Sequence, residues 1–264
     1  LTIQNTTPQN GSQAEAIVIS GQNAKWQVGE VEAHTVARRP RPPFTTSTLQ
    51  QAASSRFGFS PSVTMRHAQR LYEAGLVTYI RTDSTAMNLG AVRDIIALAR
   101  REFGEIYASA PRFYQTKIKN AQEAHEAIRP TKIQTRSTEG SRPAGRPGEH
   151  KLYDLIWRRA LACQMADAEC AQNTVIALTD NPTVPTFTAS GYRIKFDGWL
   201  RADPAARGEE RELPAVGKSE SLDLKNIESE GKATTPPNRY SEAGLVKELE
   251  KRGIGRPSTY ASTI

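Results

Sequence analysis

The stretch Gly75-Leu-Val-Thr-Tyr-Ile-Arg-Thr-Asp-Ser84 decides how this chain is interpreted. Residues 76–80 are strand formers, which predicts an extended segment that continues into the charged residues after it. Because alternate side chains of an extended chain share one face, Tyr79, Arg81 and Asp83 are expected on the same side. The pattern therefore indicates a nucleophilic phenol beside a phosphate-binding guanidinium. Taken alone, it also fits a surface strand with an Arg81–Asp83 ion pair.

Positive charge is concentrated around this stretch. The 264-residue chain has a net charge of +7, and residues 36–170 hold 21 Lys and Arg against 12 Asp and Glu. A basic block favours a polyanionic partner such as nucleic acid, although a modest excess also occurs without one. No apolar run approaches the length of a membrane span, so no membrane partner is expected. Cys163 and Cys170 lack metal-site spacing and are predicted to be core thiols.

Helix and strand signals alternate along the chain. Residues 1–38 are predicted to be β, with one strand at Ala16-Ile-Val-Ile19. Capping residues and apolar spacing predict helices at about residues 48–58, 60–75, 88–104, 149–168 and 241–252. The second of these has the apolar stripe Val63, Met65, Ala68, Leu71 and Tyr72. Strand patterns return at residues 174–179, 184–189, 192–196 and 221–227. The predicted fold class is a multidomain α+β protein, with a mainly helical, winged-helix-like domain inserted into an antiparallel β domain.

Further motifs accompany the tyrosine stretch. In chain order they are Pro42-Pro-Phe-Thr-Thr-Ser-Thr-Leu-Gln-Gln51, Ala124-His-Glu-Ala-Ile-Arg-Pro-Thr131, Phe196-Asp-Gly-Trp199 and Gly253-Ile-Gly-Arg-Pro-Ser-Thr-Tyr260. From about residue 40 onward, their wording and order closely resemble the bacterial topoisomerase I family of type IA topoisomerases. Reverse gyrases and topoisomerase III belong to the same superfamily. The sequences Tyr-Ile-Arg-Thr-Asp and Arg-Pro-Ser-Thr-Tyr favour topoisomerase I.

The resemblance implies an enzyme that relaxes negatively supercoiled DNA without ATP. In this family a tyrosine attacks a phosphate of single-stranded DNA, giving a 5′-phosphotyrosine and a free 3′-hydroxyl that later reseals the break. The family's domains would place residues 1–38 and 168–238 in an antiparallel β arch. Residues 39–167 would form the inserted helical domain that carries the tyrosine, and residues 239–264 would begin a further helical core domain.

The resemblance also assigns site residues. Tyr79 would be the nucleophile, with Arg81 and His125 as catalytic partners and Asp83 and Arg129 as supporting groups. Asp83 could orient Arg81 or be a plain surface carboxylate. His125 and Arg129 would share a face if their segment were helical. The implied DNA contacts are Thr82, Ser84, Arg256, Ser258, Thr259 and Tyr260, although the last four also fit an ordinary capped helix start.

The acidic Asp-x-Asp-x-Glu motif that binds Mg²⁺ in this family does not occur in these residues. We therefore expect a central fragment of a longer protein, with the Mg²⁺ ligands on a preceding domain and no metal ligand here. Such a fragment is expected to be inactive alone. The whole protein is expected to be a monomer on the nucleoid in the bacterial cytoplasm. Two alternatives remain, a non-enzymatic winged-helix DNA-binding module and an arch segment that only clamps DNA.

Overall fold

The computed structural model describes residues 1–3, 8–114, 125–137 and 146–264. The chain divides into two compact units. One comprises residues 1–38, 169–196 and 208–237, and the other comprises residues 39–168, 197–207 and 238–264. The fold is mixed α and β with an antiparallel sheet, in agreement with the coarse fold class expected from the sequence. The division into the family's own domains stays a prediction.

The first unit is built on a five-stranded sheet. Its strands are β1 (Thr2–Ile3), β2 (Trp26–Arg38), β3 (Ala168–Thr179), β4 (Phe187–Phe196) and β5 (Ser221–Leu222), in the order β1-β4-β3-β2-β5. The long β3 and β4 pair antiparallel, with Val175 opposite Ala189. The indole of Trp26 packs edge-on against Phe187 with ring centroids 5.2 Å apart, which anchors a small apolar core on this sheet.

The strand predicted at Ala16-Ile-Val-Ile19 is wrong, because these residues lie inside a helix, α1 (Gly11–Gln22). Asn10 caps this helix by accepting a hydrogen bond from the Gln13 amide at 3.0 Å. At the other end, the Trp26 indole donates to the Gly21 carbonyl at 2.8 Å. A cap and a local side-chain hydrogen bond thus fix both ends, and they outweigh the strand propensity of three β-branched residues.

The second unit is mainly helical, and the five predicted helices are confirmed, although the fourth ends six residues before its predicted end at Ala168. They are α2 (Thr46–Phe57), α3 (Pro61–Glu73), α4 (Leu89–Phe103), α5 (Pro147–Ala162) and α6 (Glu242–Lys251), followed by the short α7 (Tyr260–Thr263). Thr45 and Thr48 form a reciprocal capping box at the start of α2. Gly58 ends α2 with φ of 69°, and Ser60 and Pro61 begin α3, as the sequence signals predict.

A buried ion pair joins α3 to α5. The Arg70 guanidinium donates to Glu149 Oε1 at 2.9 Å, and the Glu149 side chain is fully buried. Burial alone would raise the pKa of Glu149, but hydrogen bonds from Arg70 and the Arg146 backbone outweigh it and hold the pKa below its usual value. The pair fixes the last turn of α3, from which the tyrosine segment departs.

The strand predicted after α3 is also wrong. Residues 76–86 are irregular, with backbone bends at residues 76, 78, 80 and 81, and Val77 makes only an isolated bridge to Pro130. Backbone hydrogen bonds join Leu76 and Thr78 to residues 129–131. Beyond them, the buried Thr46 hydroxyl donates to the Ile80 carbonyl at 2.7 Å and accepts from the Thr82 amide at 2.9 Å. A wing strand at this position is therefore not formed by the described residues.

Candidate active site

Side chains of the tyrosine segment alternate between buried and exposed positions, as expected from an extended chain. Ile80 and Thr82 are each 1% exposed, whereas Tyr79 is 37% exposed. Arg81 is exposed and Asp83 is half-buried. The alternation survives without a strand because the start of α2 holds the inward-facing half of the segment.

A second segment lies beside the first and brings His125 to the tyrosine. The Thr78 amide donates to the Arg129 carbonyl at 2.9 Å, and the Ala127 amide donates to the Ala86 carbonyl at 2.8 Å. The rings of Tyr79 and His125 are tilted by 38° with centroids 5.2 Å apart. The imidazole thus lies against the phenol, within reach of a phosphate bound there.

Arg129 is placed differently from His125. The segment from residue 125 to residue 131 is extended, so the helical face that these two residues would share does not form. Arg129 is buried, where it donates to Glu126 Oε2 at 2.5 Å and to the Pro130 carbonyl at 2.9 Å. This geometry suits a group that holds the loop under the site, and the supporting role stays a prediction.

Three segments of the helical unit converge on one cavity of about 320 Å³. Its lining residues are Tyr79, Arg81, Asp83, His125, Arg256, Pro257 and Ser258. Within the described ranges, neither arginine of this cavity forms an ion pair with a protein carboxylate. Two guanidiniums and one carboxylate leave the cavity positive, which suits a phosphate group next to the phenol.

The Gly-Ile-Gly-Arg-Pro motif shapes one wall of the cavity. Gly253 and Gly255 have φ values of 70° and 79°, a backbone conformation that favours glycine. These turns bring Arg256 to the site, and the Thr259 hydroxyl accepts from the Arg256 amide at 2.9 Å. Tyr260 is buried, and burial, followed by the charges of Glu250 and Asp83, raises its pKa.

Four predicted DNA contacts lie outside the cavity lining. Thr82 and Ser84 are buried beneath the segment, and each hydroxyl accepts from a backbone amide two residues further on. Tyr260 is buried behind the wall, whereas Thr259 is exposed and its hydroxyl accepts from the Arg256 amide. The assignment of these four residues as DNA contacts stays a prediction. For the three buried ones, the placement allows contact through the backbone or through neighbouring residues.

Sequence reasoning missed Tyr72, whose position in an apolar stripe favours burial. The structure leaves its side chain 40% exposed, edge-on to Tyr79 with ring centroids 5.6 Å apart. It also missed the tie between the Ser47 hydroxyl and Glu250 Oε2 at 2.6 Å, which joins α2 to α6. Neither relationship has a signal in local spacing, because both depend on which helices pack together.

The residues of this cavity do not suit a divalent cation. Mg²⁺ requires several oxygen ligands, and Asp83 is the single carboxylate in the lining, beside two guanidiniums. Across the described ranges, no group of three or more His, Cys, Asp or Glu side chains is placed to hold a metal ion. In the same ranges, no helix has the length and apolar character needed to span a membrane.

Comparison with known proteins gives a consistent set of relatives. A family model described as DNA topoisomerase matches residues 2–264. DNA topoisomerase 1 of Vibrio cholerae is 45% identical over 259 residues, which is 97% of this chain and 29% of that protein. The Salmonella typhimurium enzyme of the same name is 46% identical over 260 residues, with the same shares.

A solved structure is similar over the same range. Full-length topoisomerase I from Thermotoga maritima matches with a TM-score of 0.85 and 33% identity, covering 99% of this chain and 43% of that one. The chain thus spans less than half the length of the relatives that it matches.

Proposed function

This chain belongs to the DNA topoisomerase family, and we propose that it is the central part of a type IA enzyme that relaxes negatively supercoiled DNA without ATP. The observation that carries the proposal is the exposed Tyr79, which shares a positively charged cavity with Arg81, Arg256 and His125. A buried tyrosine, or one in a neutral or acidic cavity, would not support it.

The proposed reaction is reversible transesterification on single-stranded DNA. The Tyr79 Oη forms a bond to phosphorus while the bond from phosphorus to the 3′ oxygen breaks. The phenolic proton leaves, and the departing 3′ oxygen takes up a proton. Because the phosphotyrosine keeps the energy of the original ester, attack by the 3′-hydroxyl reseals the strand without a nucleotide.

The other cavity residues have distinct proposed roles. Arg81 and Arg256 stabilise the negative charge that develops on the non-bridging phosphate oxygens, as fixed guanidiniums do at phosphoryl centres. His125, whose ring lies against Tyr79, contacts the phosphate or moves a proton at the leaving oxygen. Asp83 lines the same cavity without an ion pair to either arginine within the described residues, and its proposed role is to orient Arg81 when DNA is bound.

Beyond the site, the proposal includes the finer architecture implied by the family. The sheet-bearing residues 1–38 and 168–238 form the arch, residues 39–167 form the tyrosine domain, and residues 239–264 begin a further domain. Mg²⁺ binds to acidic residues elsewhere in the full-length protein, since this cavity offers one carboxylate. The full-length protein acts as a monomer in the bacterial cytoplasm, and this chain alone does not relax plasmid.

The decisive experiment uses full-length protein and a single-stranded oligonucleotide labelled at its 3′ end. After incubation with Mg²⁺ and denaturation, the label is expected on the protein, because the 5′-phosphotyrosine keeps the 3′-labelled fragment. Tyr79→Phe is expected to abolish the adduct while binding the same oligonucleotide with unchanged affinity. An adduct that persists in Tyr79→Phe would overturn the proposal, and the absence of any adduct would favour a non-enzymatic DNA-binding module.

A further inference from the structure

A second cavity, of about 520 Å³, adjoins the candidate active site. The two cavities share Tyr79, Arg81, Pro257 and Ser258, so they are two parts of one open groove that passes the tyrosine. The second part, which we call the α3 groove, is walled by the exposed face of α3 and by residues 257–262.

The side chains that α3 contributes to the groove lie on one face of that helix. Ser62, Arg66, Gln69 and Tyr72 all line the groove. They follow the three- and four-residue spacing that places side chains on one helical face. On the opposite side of the helix, Thr64 and Leu71 are fully buried in the core of the unit. The groove face is therefore held in place by packing on the reverse side of α3.

Tyr72 offers a stacking surface next to the nucleophile. Its ring meets Tyr79 at 70° and remains 40% exposed. Exposed aromatic side chains in positively charged grooves are the usual platforms for the bases of single-stranded nucleic acids. The exposed part of the Tyr72 ring does not contribute to packing of the core. Stacking of a base would give this exposed surface a function.

Charge in the α3 groove also suits a nucleic acid strand. Arg66 and Arg81 line it, and none of the described residues that line it is acidic. Within the same ranges, Arg66 forms no ion pair, which leaves its guanidinium available. Gln69 is already engaged, since its side-chain amide donates to Glu73 Oε1 at 2.8 Å.

We propose that the α3 groove binds one flank of the cleaved DNA strand, with Tyr72 stacked on the base beside the scissile phosphate and Arg66 on a backbone phosphate of that flank. This inference rests on the proposed function, because it takes the strand at Tyr79 to be single-stranded DNA. It assigns two positioning residues, one for a base and one for a phosphate, to a surface outside the reacting cavity.

The test for Arg66 measures binding of oligonucleotides by the full-length protein as a function of salt. Arg66→Gln is expected to weaken binding and to reduce the slope of log affinity against log salt by about 0.7, the value for one phosphate contact on a single strand. Arg93→Gln on the exposed face of α4 removes the same charge outside the groove and is the control. Equal slopes for the two variants would overturn the Arg66 assignment.

The test for Tyr72 combines protein variants with DNA variants. Tyr72→Leu is expected to weaken binding by about 5-fold or more, while Tyr72→Phe keeps the affinity because the ring remains. An abasic site at the base beside the scissile phosphate should cost the wild type as much as Tyr72→Leu does and should cost that variant nothing further. Additive losses would overturn the stacking assignment.

Shortening the oligonucleotide from each end shows which flank occupies the groove. The losses of affinity caused by Arg66→Gln and Tyr72→Leu are expected to vanish when one flank of the oligonucleotide is removed and to persist when the other is removed. Penalties that are independent of both truncations would contradict the inference. Failure of the proposed function looks different, because Tyr79→Phe would then still form the covalent adduct.

Discussion

The buried hydroxyl of Thr46 donates to the carbonyl oxygen of Ile80 at 2.7 Å, which fixes the backbone one residue beyond the candidate nucleophile to the first turn of α2. The same hydroxyl accepts from the Thr82 amide, so one side chain supplies two of the hydrogen bonds that hold this segment. The direction in which Tyr79 points thus depends on a residue that never touches the cavity.

Thr46→Val tests this dependence. The variant leaves a buried carbonyl and a buried amide without a partner, and we expect a loss of about 1–3 kcal/mol in the free energy of unfolding. Adduct formation should fall as well, and Thr46→Ser should restore both. Urea unfolding and the adduct assay on full-length protein measure the two effects. A variant with normal unfolding and normal adduct yield would contradict this account.

Arg81→Gln separates chemistry from stability. Because Arg81 is exposed and forms no ion pair with any described carboxylate, its loss should leave the unfolding free energy unchanged. We expect the rate of cleavage to fall by about 100-fold, the usual effect of removing one donor that stabilises a developing charge. Single-turnover cleavage kinetics give the rate, and Arg93→Gln is the matched control. A cleavage rate within 3-fold of the wild-type rate, and no lower than that of Arg93→Gln, would argue against a role for Arg81 in the reaction.

The buried Arg70–Glu149 pair predicts a pH-dependent contribution to stability. The pKa of Glu149 is held below its ordinary value of 4.5, so the carboxylate stabilises the fold fully above that pH and loses the effect as the pH falls through the folded-state pKa. Glu149→Gln should cost about 1–3 kcal/mol at pH 7. The difference in unfolding free energy between the variant and the wild type should become smaller below pH 4.5.

A surface carboxylate provides the control for that experiment. Glu105 pairs with Arg100 at 3.0 Å, but its side chain is 76% exposed. Exposed pairs contribute little, so Glu105→Gln should change the unfolding free energy by less than about 0.5 kcal/mol at every pH. A cost for Glu149→Gln that stays constant from pH 3 to pH 8 would contradict the assignment.

The glycine of the Phe-Asp-Gly-Trp motif lies where a larger side chain would clash, and this requirement can be tested. Gly198 has φ of 47°, and a Cβ atom there would lie 2.4 Å from the Asp167 carbonyl oxygen. Gly208 has φ of 79° with no atom within 4 Å of such a Cβ. Gly208→Ala should therefore cost about 1–2 kcal/mol from conformation alone, and Gly198→Ala should cost clearly more. Equal costs in thermal unfolding would show that the close approach has no effect.

Local sequence signals predicted much of the helical unit because its helices are bounded by residues whose effect is local. Ser60 and Pro61 begin α3 and Gly58 ends α2, and neither signal needs tertiary information. The shared face of Tyr79, Arg81 and Asp83 was predicted for a similar reason, since alternation requires an extended backbone and not a strand ladder.

The failures of sequence reasoning have other causes. The helix α1 contains β-branched residues that favour a strand, and its ends are fixed by a cap and by the Trp26 indole. After α3, the backbone of residues 80 and 82 is bound by Thr46, more than thirty residues earlier, and not by a partner strand. Tyr72 follows the periodicity of a core residue but lies at the edge of the face that α3 buries. The second and third failures depend on packing between segments, whereas the ends of α1 are fixed by hydrogen bonds that span three and five residues.

The most direct test of the central claim is to map the covalent adduct. Full-length protein is trapped on a single-stranded oligonucleotide with Mg²⁺, digested with a protease and a nuclease, and analysed by tandem mass spectrometry. The account predicts one peptide that carries a 5′-nucleotide on the Tyr79 oxygen. A nucleotide on any other side chain, with Tyr79 unmodified, would contradict it.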